Sequence, residues 1–117
     1  MNEKKFDLED RTLKLAVMVR EFVRLLPKTV SNFEDAKQII RSSGSVGANY
    51  IEANESVSRK DYIYRAKVCK KESKECGYWL RLVDSGGSPE IENERTLLLN
   101  ESIELCKIFG AIIRKSE

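Results

Sequence analysis

Histidine is absent from the 117-residue chain. That one absence removes Ser-His-Asp and Cys-His nucleophilic sites, imidazole zinc sites and the Glu-x-x-His di-iron motif. An enzyme built on this chain would have to work with carboxylates, lysines, tyrosines and thiols alone. No arrangement of those residues supplies a nucleophile with an orienting base, so the expectation is a non-enzymatic protein with no cofactor and no metal. Proline occurs twice and glycine six times, which favours long helices over strands or disorder. Cysteine is scarce and odd in number. Cys69, Cys76 and Cys106 suggest no disulfide framework, and they lack the close spacing and fourth ligand of a zinc site. No apolar run approaches the roughly 20 residues that span a bilayer. Residues 1–8 are polar and carry no apolar signal-peptide core, so a cytoplasmic location without a membrane partner is expected.

What is present is a mixture of 41% hydrophobic and 34% charged residues, the balance of a single globular domain over residues 1–117. A chain this long buries roughly two-thirds of its unfolded surface and needs no metal or disulfide to fold. The net charge of +2 does not by itself indicate a nucleic-acid partner; the distribution of charge decides that.

Four amphipathic segments follow one another, predicted as helices over about 9–26, 32–56, 59–84 and 89–115. In the first, Leu15, Val19, Phe22 and Leu26 share one face, and Pro27 stops the helix. The second opens on Ser31 and Glu34 in capping-box spacing, with Phe33, Ala36, Ile40, Ser43, Gly47, Tyr50 and Asn54 inward and Ile39, Val46 and Ile51 widening the stripe. Its Ser42-Ser43-Gly44-Ser45-Val46-Gly47 run reads locally as a loop, since two interior glycines cost a helix about 2 kcal/mol relative to alanine. The apolar spacing nevertheless stays in phase across it. The third segment starts at Ser58, with Tyr62, Ala66, Cys69, Ser73, Cys76, Leu80 and Val83 inward, and ends at the turn Ser85-Gly86-Gly87-Ser88. The fourth has Ser88 as cap and Pro89 at its first position, with acidic residues at its start and Lys107, Arg114 and Lys115 toward its C-terminal end. Short links between long helices give an all-α, antiparallel up-down-up-down four-helix bundle. Leu97, Leu98, Leu99, Ile103, Leu105, Cys106, Ile108, Phe109, Ile112 and Ile113 in segment four cover more than one face, and segment one likewise carries Leu13 and the apolar run from Leu15 through Val19. That surplus suggests a second buried surface, most simply self-association, against a broad core face in a small bundle.

The run from Arg41 through Gly44-Ser45-Val46-Gly47-Ala48-Asn49-Tyr50-Ile51-Glu52-Ala53-Asn54 to Glu55 is distinctive. With Leu26-Pro27-Lys28 before it and Lys71-Glu72-Ser73-Lys74-Glu75 to Tyr78-Trp79-Leu80-Arg81 after it, the sequence resembles the four-helix bundle proteins encoded in intervening sequences of bacterial 23S ribosomal RNA genes, the S23 family. The resemblance runs from Phe6 to about Ile113, and the family name describes gene location. It implies a bundle whose second helix continues through the glycines, and a homopentamer. The accessory variability determinant of diversity-generating retroelements looks like the same fold, which implies a basic pentamer that binds nucleic acid and a reverse transcriptase.

Segment three carries the best functional hint. Lys60, Tyr64, Lys67, Lys71, Lys74, Tyr78 and Arg81 form one stripe, flanked by Arg59, Arg65 and Lys70. The stretch 59–81 holds eight basic residues against three acidic ones, Asp61, Glu72 and Glu75. Lysines interleaved with tyrosines can follow phosphates and stack bases, with low sequence specificity, on RNA or DNA. The alternative is a solvated face balanced by Glu72 and Glu75, in a homo-oligomeric scaffold whose outer faces dock a partner enzyme. Glutamates at i, i+3 (Glu52/Glu55, Glu72/Glu75, Glu101/Glu104) are expected to be solvated or ion-paired rather than metal-binding. Arg41, Asn49, Glu52 and Asn54 are expected in a partly buried polar network. Gly44 and Gly47 read as packing residues, and Trp79 either marks a partner surface or fills a gap between helices.

Overall fold

The computed structural model describes residues 3–117, with side chains described from Leu8 onward. Four helices account for nearly all of it: α1 (Glu3–Leu25), α2 (Val30–Asn54), α3 (Arg59–Leu82) and α4 (Pro89–Ser116). Each helix packs on its neighbour in sequence, and α1 closes the bundle against α4. Cross-helix contacts fix the directions. The start of α1 meets the end of α2 (Glu9 with Asn54), the start of α2 meets the end of α3 (Asn32 with Asp84) while Asn49 later in α2 meets Arg65 early in α3, and along α3 and α4 Lys70 lies by Gly110 while Gly77 lies by Leu99 and Ser102. The bundle is 46 Å long, close to the span of the 28-residue α4 at about 1.5 Å per residue.

Of the α3 stripe, Ala66, Cys69, Ser73, Cys76, Leu80 and Val83 are buried, and Tyr62 in the first turn is only partly so. Cys69, Cys76, Leu80 and Val83 meet Leu15, Val19 and Phe22 of α1, Ile39, Val46 and Tyr50 of α2, and Leu98, Leu105 and Phe109 of α4 in one core. Ser58 and Ser88 cap α3 and α4, accepting from the N–H groups of Asp61 and Ile91 at 3.1 and 3.3 Å. Gly86 and Gly87 take positive φ in the α3–α4 turn, a region glycine enters without a Cβ penalty. The Ser42–Gly47 stretch is helical throughout, so the in-phase spacing prevails over the local loop signal.

Several boundaries differ from the sequence expectation. α1 begins at Glu3 rather than near residue 9, and Leu8 of its second turn is buried. It ends at Leu25, because proline at 27 disfavours helical geometry at Leu26. α2 is capped by Thr29, whose hydroxyl accepts from Asn32 N–H at 3.1 Å, and Ser31 lies inside the first turn. The N-cap is therefore two residues earlier than expected, and no reciprocal capping-box bond forms, because the Asn32 side chain turns to Pro27 and Asp84. Phe33 and Ile51, expected on the inward stripe, are 66% and 51% exposed; Asn32 is buried in their stead, and Ile39, expected to widen the stripe, is fully buried. α2 ends at Asn54 and α3 at Leu82, two residues early in each case. At the α3 end the cause is visible: Val83 is extended and buried, and Asn32 captures the backbone of Asp84.

Candidate functional site

The eight stripe residues, Lys60, Tyr64, Lys67, Lys70, Lys71, Lys74, Tyr78 and Arg81, all lie exposed on the outer face of α3. Their helix is held by its opposite, apolar face, so the cationic side is left to solvent. Among the described residues only Lys67 of this set forms an ion pair, a long one at 3.9 Å to the exposed Glu117. Glu72 and Glu75 do not balance the lysines. Both turn toward α2, where Arg41 binds the two carboxylates; its Nη2 lies 3.2 Å from Glu72 Oε1. Glu72 is buried, and its hydrogen bond to Arg41, opposed by desolvation, holds the guanidinium pKa above its ordinary value. Arg65 also turns to α2, donating to Asn49 Oδ1 at 2.9 Å while its guanidinium lies 5.7 Å from the Tyr64 ring centre. The polar network expected around α2 thus includes Arg41, Asn49 and Asn54, the last donating to Glu9 at 2.8 Å. Glu52 stays exposed and outside it.

Beside the stripe runs a groove of about 660 Å³ between α3 and α4. Its floor is made of small residues: Ser73 and Gly77 from α3, and Ser102, Cys106 and Gly110 from α4. Leu99, Ile103 and Tyr78 form apolar walls. Lys70, Lys74 and Arg81 line it from α3, and Lys107 and Arg114 from α4, with no carboxylate among the lining residues. The groove therefore gathers four of the eight stripe residues; Lys60, Tyr64, Lys67 and Lys71 lie outside it. It also adds two cations that sequence reading assigned to the α4 helix dipole. Their sequence signal was a seven-residue spacing beside the Ser102, Cys106, Gly110 run, which places both on one edge of α4.

The other candidates resolve into structure. Trp79 is half-buried against the core, with its indole N–H donating to Glu75 one turn earlier in α3 at 3.3 Å. Cys69 is buried and its thiol donates to Val46 O; burial pushes its pKa up to about 12. Burial also raises the Cys76 thiol, and a protonated buried thiol is a poor nucleophile. Among the described residues no three carboxylates or thiols come together as a metal site. No described helix is long and apolar enough to cross a membrane.

These features define the class: an all-α antiparallel four-helix bundle with one strongly cationic helix face. The chain matches the 23S rRNA-intervening sequence protein family over residues 4–111 and belongs to that family. A solved crystal structure of a protein with unknown function from the S23 ribosomal protein family of Bacteroides thetaiotaomicron VPI-5482 is 32% identical. Its match covers 95% of this chain and 98% of that one, with a TM-score of 0.80. No curated protein matches the chain.

Proposed function

We propose that this protein is a non-enzymatic, self-assembling accessory protein of the cytoplasm that binds nucleic acid with low sequence specificity through the outer face of α3. The observation that carries the reading is the exposure of six cations on one helix face, five of them without an ion pair among the described residues, interleaved with Tyr64 and Tyr78. Flexible lysines on a helix exterior neutralise phosphates and do not read base edges, hence the low specificity. Self-assembly is supported by solvent-facing Leu13, Val17 and Leu97, 47–64% exposed in the single chain. A pentamer, the state implied by the likeness to the S23 proteins, would repeat the stripe five times and add weak contacts together.

The test is binding of fluorescent RNA and DNA oligonucleotides over a range of salt. Engagement of all six cations gives a log–log salt slope of about −4 on single strands. The triple variant Lys67→Glu, Lys71→Glu, Lys74→Glu should lose binding while keeping its helicity; equal retention of variant and wild type sinks the reading. The exposed apolar residues favour a second one, a homo-oligomeric scaffold that docks a partner enzyme such as a reverse transcriptase. Its binding would be nearly insensitive to salt, which separates the two.

A further inference from the structure

The α3/α4 groove brings two cations, one from each helix, to the same point. Lys70 Nζ and Arg114 Nη1 lie 3.8 and 3.4 Å from the point where a Cβ on Gly110 would sit. They come from different helices, converge over Gly110, which has no side chain, and have no carboxylate among the groove residues to separate them. Like charges brought together without a counter-charge lower their energy by taking up an anion. One helical turn away Lys74 and Lys107 both line the groove, and Arg81 stands at its Leu99 end. From Lys70 to Arg81 the groove runs about 16 Å along α3 at 1.5 Å per residue.

Resting on the nucleic-acid reading above, we propose that this groove is a track for single-stranded nucleic acid. Lys70 and Arg114 hold a phosphate over Gly110, and the small-residue floor between Leu99, Ile103 and Tyr78 receives unstacked bases. Three properties favour a single strand over other polyanions. The trough between two packed helices, with axes about 8–10 Å apart, is shallow and narrow, and it suits one strand better than a duplex. Tyr78, 55% exposed on the groove wall, offers a ring on which a base can stack. Apolar walls between cationic rims suit a chain whose phosphates and flat apolar faces point apart, which a duplex with its bases hidden does not present. The nucleic-acid interface thus extends from α3 onto α4, and Lys107 and Arg114 join it.

The experiment measures the affinity of the full chain for a fluorescent 20-nucleotide single strand and for the corresponding duplex at one fixed salt concentration. It compares wild type with Lys107→Ala/Arg114→Ala, and with Arg20→Ala/Arg24→Ala as an equal charge change on α1. Both pairs are exposed, and circular dichroism confirms the fold of each variant. The expected result is a roughly tenfold preference for the single strand. The α4 pair should weaken single-strand binding about tenfold and reduce its salt slope by about 1.4, as two lost phosphate contacts require. The α1 pair should change it less than twofold. Equal affinity for duplex and single strand overturns the track. So does an α4 variant that binds like wild type while the Lys67/Lys71/Lys74 variant fails; that outcome leaves the α3 reading standing alone. Displacement of the strand by polyglutamate at equal charge concentration also overturns it, in favour of an acidic-helix dock. No binding of any oligonucleotide by wild type removes both readings together.

Discussion

Asn32 and Asp84, 52 residues apart, exchange two hydrogen bonds: the Asn32 amide donates to the Asp84 carbonyl and accepts from the Asp84 N–H, each at 2.9 Å. The same amide donates to Pro27 O at 3.0 Å. One buried side chain therefore satisfies backbone groups in two connections and ties the α1–α2 corner to the end of α3. Asn32→Ala should lower stability by about 2–3 kcal/mol, because it leaves those groups without partners. Urea unfolding followed at 222 nm checks it; a loss under about 0.5 kcal/mol would mean that water replaces the amide.

Arg41 and Glu72 join α2 to α3 through a carboxylate that is 8% exposed and a guanidinium that is 48% exposed. Arg41→Ala should cost about 1–2 kcal/mol, less than a fully buried pair because half the arginine is in water. Replacing both residues by leucine should cost less than Arg41→Ala alone, since no charge is then left buried. Comparing the two unfolding midpoints decides the point.

Gly44 and Gly47 lie one turn apart in α2 and should respond with opposite signs. A Cβ at Gly44 meets nothing within 4 Å, so the packing role expected of it does not hold in the single chain. Gly44→Ala should stabilise by about 0.5–1 kcal/mol through helix propensity. A Cβ at Gly47 would lie 3.1 Å from Thr12 Oγ1, which is held by hydrogen bonds to Leu8 O and Glu9 O at 2.8 and 3.1 Å. Thr12 cannot yield cheaply, so Gly47→Ala should destabilise by about 1 kcal/mol. Thermal melts of the two variants give the comparison directly.

Alkaline pH should loosen the bundle. The Cys69 thiol is raised from 9.0 to about 12 in the folded chain, and burial also raises Cys76, Tyr50 and Tyr62. A group whose folded pKa is raised contributes its full stability below the unfolded value. The unfolded chain loses its thiol proton first, so stability falls as pH climbs from about 9 toward 12. Cys69→Ala should flatten that decline in urea midpoints measured between pH 8 and 11. In the native state a thiol-reactive dye should label Cys106 first, with Cys69 and Cys76 following only on unfolding.

Lysine at Leu13, Val17 and Leu97 should reduce the mass seen by light scattering without loss of helix, if those exposed residues join one copy of the chain to another. An unchanged mass would place the subunit contacts elsewhere or show the protein to be monomeric.

The helix count, the caps at Ser58 and Ser88 and the buried face of α3 were legible in the sequence. Each depends on neighbours within a turn or two, and the 3.6-residue period and cap chemistry act over that range. The exposed cationic stripe was legible for the same reason. The α2 cap was not. Thr29 and Ser31 are both competent hydroxyls, and the choice went to Thr29 with Asn32 drawn inward to a partner 52 residues away. Nor did local charge reveal that Glu72 and Glu75 face Arg41 rather than the lysines, or that Arg114 stands beside Lys70 across Gly110. Those pairings are set by how antiparallel helices lie against one another, and residues 31 or 44 positions apart meet only after the core has fixed that register. Periodicity within each helix decides which side is apolar; packing between helices decides which charges become neighbours, and with them where an anion can bind.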